Sequence, residues 1–199
     1  MSNDFFALVS RMKYIDRWAF MRNTDSESLS QHSFEVAVIA HALAVISNAR
    51  LGTDYDAEKA ALIGLYHDTA EILTGDMPTP VKYYSSEILG AFKKVEEVAT
   101  EKIFDMLPDD LKPSYEDLFF AKEEDIPLWR LNKAADKISA LIKCIEEEKA
   151  GNREFIQAKE ATERAIHAMK CEAAEIFLEE CIPSFELTLD ELKNNPLKD

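Results

Sequence analysis

His32, the pair His67-Asp68 and Glu71 are the residues of this chain whose types and spacing suit metal and proton chemistry. Imidazole and carboxylate together suit a first-row divalent cation such as Mn, Fe, Co, Ni or Zn. His67 and Asp68 follow an apolar run, Ala60-Ala61-Leu62-Ile63-Gly64-Leu65-Tyr66. On a helix their side chains lean back over the turn before them, which here is apolar. A carboxylate in such a place costs several kcal/mol, or is driven to protonate, unless something compensates it. A divalent cation would compensate Asp68. A Lys or Arg partner would do the same and leave His67 as a hydrogen-bonded core histidine, and spacing alone leaves both readings open. Glu71, four residues beyond His67, shares its helical face. A carboxylate there, beside a cation that activates water, can move protons. As a surface residue it would stand in the last turn of a helix, where the dipole disfavours negative charge. His41 and His167 have no partner at metal spacing and read as structural or surface residues.

Arg17-Trp18 lies in a segment, Asp16 to Leu29, that breaks the helical periodicity and has the length of a functional loop. The planar fork of Arg binds two phosphate oxygens at once. The plainer reading is a surface Arg beside a core Trp. Asp76, which precedes Met77-Pro78, could simply close a turn.

The elements that must position these residues are helical. Asn3 or Asp4 can cap a first helix to about Tyr14, with Phe5, Leu8, Val9 and Met12 at three-to-four spacing. Ser28 with Gln31 resembles a capping box. The helix it opens carries His32 on one stripe with Val36, Ile39, Leu43 and Ile46, and ends before Gly52. Asp54 or Asp56 starts the next helix, Ala57 to Leu73, whose all-round apolar stretch predicts burial on most sides. Gly75, Pro78 and Pro80 stop it. Ser85 or Ser86 starts a helix ending near Leu107-Pro108, and a short piece lies around Pro113 to Ala121. Pro127 suits a first turn, and Gly151 suits the residue after a helix end. A long helix is expected from Glu154 to Glu180, then a short turn from Leu189 to Lys193 capped by Thr188. The whole reads as an all-α bundle of roughly seven to nine helices in one domain, residues 1–199.

Composition narrows the function classes. With 38 acidic and 23 basic residues the formal charge is −15, which repels a nucleic-acid polymer. A phosphate site would therefore need concentrated local positive charge. The three cysteines, Cys144, Cys171 and Cys181, form no CxxC pair and read as reduced, mostly buried thiols of a cytoplasmic protein. The N-terminal stretch lacks the apolar region and cleavage site of a signal peptide. No run approaches about eighteen apolar residues, so no membrane span is expected.

The order His32, His67-Asp68, Asp136 is the H…HD…D pattern of the HD superfamily. Around it, Arg17-Trp18, Ser30-Gln31-His32-Ser33, Tyr66-His67-Asp68-Thr69-Ala70-Glu71 and Thr74-Gly75-Asp76-Met77-Pro78-Thr79-Pro80-Val81-Lys82 resemble the YfbR-like bacterial HD-domain 5′-deoxynucleotidases. Lys143-Cys144, Ala150-Gly151-Asn152 and Pro183-Ser184-Phe185 extend the resemblance over nearly the whole chain. It implies a compact HD-domain bundle, a homodimer, and hydrolysis of deoxyribonucleoside 5′-monophosphates. His32, His67, Asp68 and Asp136 would coordinate one divalent metal ion (Co, Mn or another first-row divalent cation). Glu71 would transfer a proton to the leaving sugar oxygen, with Arg17 and Asp68 as further catalytic groups. Arg17 would orient the phosphate, and Trp18 would sit by the sugar and exclude a 2′-hydroxyl. Asp76, Met77, Pro78 and Thr79 would line the nucleoside site, with His32 and Asp68 also bordering the substrate. Met77 stands where the family usually has Leu, a swap close in volume. Asp136 depends most on the resemblance: periodicity alone turns it about 160° away from the stripe of Leu131, Ile138 and Leu141, toward solvent. Other functions of the same pattern are an HD phosphohydrolase or phosphodiesterase for a cyclic or triphosphorylated nucleotide, and a metal-stabilised nucleotide-binding protein without turnover.

Overall fold

The computed structural model describes residues 3–82 and 84–192. Helix α1 (Phe5–Val9) runs on as a 3-10 turn to Tyr14, and the segment after it makes one isolated bridge, Asp16 to Ser28. Helix α2 (Leu29–Leu51) starts in the expected capping box, with the Ser28 side chain accepting from the Gln31 N–H and Gln31 bonding back. It stops at Gly52, whose left-handed φ of 72° suits a residue without Cβ. Asp56 caps α3 (Ala57–Tyr66) through its side chain. Short helices α4 (Glu71–Thr74) and α5 (Thr79–Lys82) follow. Ser85 caps α6 (Ser86–Phe104), then come α7 (Lys112–Phe119) and the 24-residue α8 (Ile126–Lys149), with Pro127 in its first turn. Helices α9 (Ile156–Ala168) and α10 (Glu172–Glu180) complete the set. Among the described residues the fold is all-α, and seven of the helices have eight or more residues.

Helix α2 is the axis, packed against α3, α8 and α10. Val36, Ile39, Ala40, Leu43 and Ala44 of α2 meet Ala60 and Ile63 of α3 and Leu131, Ala134, Ala135, Ile138 and Leu141 of α8 in one core. Gly64 permits the α2–α3 contact: a Cβ there would lie 2.8 Å from the Ala37 Cα. By length and mean hydropathy α2 is long and apolar enough to cross a membrane. In this fold it is the core helix.

Three expectations are corrected. The helix expected over Ala57 to Leu73 breaks after Tyr66. There the Gly64 carbonyl accepts from His67 Nδ1, and the backbone tightens to bonds spanning three residues, Thr69 to Tyr66, Glu71 to Asp68 and Ile72 to Thr69. Glu71 therefore opens a new helix rather than ending an old one. The same run is buried on one side rather than on most: Ala60, Ile63 and Gly64 are buried, while Leu62 and Leu65 are exposed. The helix expected over Glu154 to Glu180 is two helices. Arg130 donates to the Met169 carbonyl at 2.7 Å, Lys170 turns left-handed (φ 50°), and the chain reverses, α9 packing on α8 and α10 on α2. The turn expected after Thr188 is present as far as Glu191, closed by a backbone bond and by Glu191 Oε2 on the Thr188 N–H; Lys193 lies outside the described residues.

Candidate metal centre

Three helices bring the expected ligands together. His32 stands in the first turn of α2, wholly buried. His67 and Asp68 form the tightened turn after α3, and Asp136 projects from α8. Helix α8 is buried on two sides, by Ile138 and Leu141 on one and Ala140, Lys143 and Cys144 on another, so Asp136 is only a quarter exposed. The solvent-facing placement suggested by periodicity gives way because the helix is enclosed on more than one side.

One ligand atom each from His32, His67 and Asp68 lies within 4.8 Å of the others. His32 Nε2 is 3.3 Å from Asp136 Oδ1 and 3.6 Å from Asp68 Oδ2, and His67 Nε2 is 3.1 Å from Asp68 Oδ2. The other ring nitrogens fix the tautomers. His67 Nδ1 is 2.7 Å from the Gly64 carbonyl, which only accepts, so Nδ1 carries the proton. His32 Nδ1 is 3.0 Å from Ser139 Oγ, whose own hydrogen goes to Glu35 Oε2. That again puts the proton on Nδ1. Both Nε2 atoms are buried and without hydrogen-bond partners, and in the neutral rings each offers a lone pair. Two buried orphan lone pairs beside two carboxylates form a donor set that fits a divalent first-row cation. With the rings protonated instead, the burial that would raise the Asp68 carboxyl is outweighed by the charge of His67 and His32, which holds it at about 2. Asp136 is held well below the usual range in the same way, by His32 and Lys137 against burial.

Glu71 is buried, and its Oε2 has no partner. Burial, with Asp68 and Asp76 nearby, pushes it up to about 9. Two carboxyls a turn apart are thus driven to opposite protonation states. A cavity of about 750 Å³ opens beside them, lined by His67, Asp68, Glu71 and Asp136 with Phe119 and Trp129.

The loop before α2 delivers Arg17 and Trp18 to this edge. Arg17 Nη1 lies 3.5 Å from Asp68 Oδ2 and Nε lies 3.6 Å from Glu27 Oε2. The Trp18 indole packs on Phe155 at 5.3 Å, and its Nε1–H donates to Glu27 Oε2 at 2.8 Å. Asp76 Oδ2 accepts from the Trp18 backbone N–H at 3.2 Å. Met77 and Pro78 follow Asp76, half-buried, and Thr79 opens α5 with its side chain outside the described residues. His41 and His167 are exposed, and His167 pairs with Glu175.

With this arrangement in view, comparison with known proteins is direct. A family profile described as 5′-deoxynucleotidase YfbR-like matches residues 4–185. The chain belongs to the YfbR-like family. Two relatives named 5′-deoxynucleotidase are similar to it over almost their full length. That of Erwinia tasmaniensis is 43% identical over 193 residues, 97% of this chain and 98% of the relative. That of Vibrio cholerae is 45% identical over 188 residues, 94% of this chain and 97% of the relative. The crystal structure of an HD-domain phosphohydrolase from Listeria innocua shares the fold, with a TM-score of 0.78 at 24% identity, over 92% of this chain and 88% of that one.

Two features of this YfbR-like site were given no role from sequence. Glu27 is the carboxylate between Arg17, Trp18 and His32. Lys143 and Glu147, almost fully buried on α8, hold the loop: Lys143 Nζ donates to the Asp25 carbonyl and to Glu147, and Glu147 accepts from the Thr24 and Asp25 N–H groups and from Asn152. A charged pair four residues apart within an otherwise apolar helix face was the available signal.

Proposed function

We propose that this chain, one HD domain over residues 1–199, is a cytoplasmic metal-dependent hydrolase that releases phosphate from deoxyribonucleoside 5′-monophosphates. The observation that carries the reading is the pair of buried Nε2 atoms of His32 and His67, without hydrogen-bond partners, facing Asp68 and Asp136. These four residues would hold one divalent cation such as Co or Mn. Such an ion supplies Lewis acidity, neutralising phosphoryl charge and making water a better nucleophile at neutral pH.

The rest of the chemistry belongs to side chains. Arg17 presents its guanidinium beside Asp68, where it orients the phosphate by two hydrogen bonds and adds positive charge against the acidic background. Water adds to phosphorus as the P–O5′ bond breaks, the proton held on Glu71 passes to O5′, and a proton of the added water restores the acid, leaving deoxynucleoside and phosphate. Glu71 suits that task because its surroundings keep it protonated at neutral pH. Trp18 stands by the sugar and excludes a 2′-hydroxyl, and Asp76, Met77, Pro78 and Thr79 form the nucleoside wall. The YfbR-like relatives named 5′-deoxynucleotidase support the substrate class. An apolar stripe on α2, with Phe34, Val38 and Val45 exposed, supports a homodimer.

The test is phosphate release from paired ribo- and deoxyribonucleoside monophosphates, with chelator and then Mn, Co, Mg or Zn added back. Turnover restored by a cation and confined to deoxyribonucleotides is expected. Cleavage of only cyclic or triphosphorylated nucleotides would replace the substrate assignment.

A further inference from the structure

Trp18 has a left-handed backbone, φ 60°, although it carries a bulky side chain. That conformation costs about 1–2 kcal/mol and persists only where the surroundings over-determine it. Here both ends of the residue are held. The backbone N–H donates to Asp76 Oδ2 and the indole Nε1–H donates to Glu27 Oε2. The same Glu27 oxygen is 3.6 Å from Arg17 Nε, the Glu27 carbonyl accepts from the Arg17 N–H at 2.9 Å, and Glu27 Oε1 is 3.5 Å from His32 Nδ1. One largely buried carboxylate thus touches Trp18, Arg17 and His32 together.

We infer that Glu27 is a positioning residue that fixes the orientations of Trp18 and Arg17 and so sets the discrimination between deoxyribose and ribose substrates. This rests on the function proposed above. Trp18 can exclude a 2′-hydroxyl only while its indole is held in one place. Its tilted packing against Phe155 holds one side of the ring, and the Nε1–H bond fixes the rotation. Selectivity of this kind depends on placement, and a shift of about 1 Å can cost on the order of 100-fold in rate.

The experiment compares wild type with Glu27→Ala and Glu27→Gln. The amide oxygen of the Gln variant still accepts from Trp18 Nε1 but carries no charge toward Arg17. Glu27→Ala should lose about ten-fold or more of the deoxy-to-ribo ratio of kcat/KM. Glu27→Gln should keep most of that ratio and raise KM for both substrates by about ten-fold, with kcat less affected. A second readout needs no turnover: 19F NMR of protein labelled with 5-fluorotryptophan, with the Trp18 resonance assigned by its loss in Trp18→Phe. It should shift and broaden in Glu27→Ala and stay near its wild-type position in Glu27→Gln. An unchanged ratio together with an unmoved Trp18 resonance in Glu27→Ala overturns the inference. Should Glu27→Ala not fold, a Glu27→Gln enzyme that loses the ratio outright also overturns it. A wild-type protein inactive on every nucleoside monophosphate would instead defeat the proposed function, and the resonance would still decide what Glu27 holds.

Discussion

His32 Nε2 and Asp136 Oδ1, from the start of α2 and the middle of α8, meet at 3.3 Å. The ring's other nitrogen is committed to Ser139, so in the neutral ring this contact points a lone pair at a carboxylate, an arrangement that a cation completes. Replacing either side of the cluster should therefore remove metal chemistry without removing the fold. His67→Ala and Asp136→Ala are expected to bind no stoichiometric Mn or Co by mass spectrometry of the metal content and to lose phosphate release to background, while helical circular dichroism is retained. Full turnover in either variant would remove the metal assignment.

A cation that binds only the folded cluster must also stabilise it. At 100 times its dissociation constant the gain is about 2.7 kcal/mol. For a chain of this size that corresponds to a Tm roughly 5–10 °C higher. Thermal melts with and without chelator measure it, and the increment should vanish in His67→Ala.

Glu71 is pushed up to about 9, so it is an acid at neutral pH and loses its proton as pH rises through that region. Turnover should then fall on the alkaline side. Glu71→Gln cannot supply a proton and should lower kcat by about 10²–10⁴-fold with KM little changed. In the pH profile of that variant the alkaline fall should be absent.

Trp18→Ala opens the place that a 2′-hydroxyl would occupy. The expected result in paired kinetics is a rise in kcat/KM for ribonucleotides relative to deoxyribonucleotides. A ratio equal to that of wild type would show that another group rejects ribose.

Glu147 anchors the Arg17–Trp18 loop from behind. Burial would raise its carboxyl, but Lys143, Asn152 and the Thr24 N–H hold it down at about 2, against an ordinary value of 4.5. A depressed carboxyl contributes stability that is complete above about 4.5 and is lost as pH falls through about 2. Glu147→Gln should cost about 3 kcal/mol at neutral pH, because it leaves Lys143 buried without its counter-charge. In urea melts between pH 2 and 6 its stability should depend less on pH than that of wild type.

Residue order alone determined a good deal. The stripe of Val36, Ile39 and Leu43 placed His32 toward the core, the Ser28–Gln31 box set the start of α2, and Gly52, Pro127 and Gly151 marked helix ends, because caps and periodicity act over a few residues. Asp136 was legible only through family resemblance, since one helix cannot say how many neighbours enclose it. Tertiary structure alone decided that the chain breaks at His67, that α9 and α10 part where Arg130 takes the Met169 carbonyl, and that Glu27 stands between Arg17, Trp18 and His32. Each of these depends on partners distant in sequence or on a contact whose geometry no local pattern encodes.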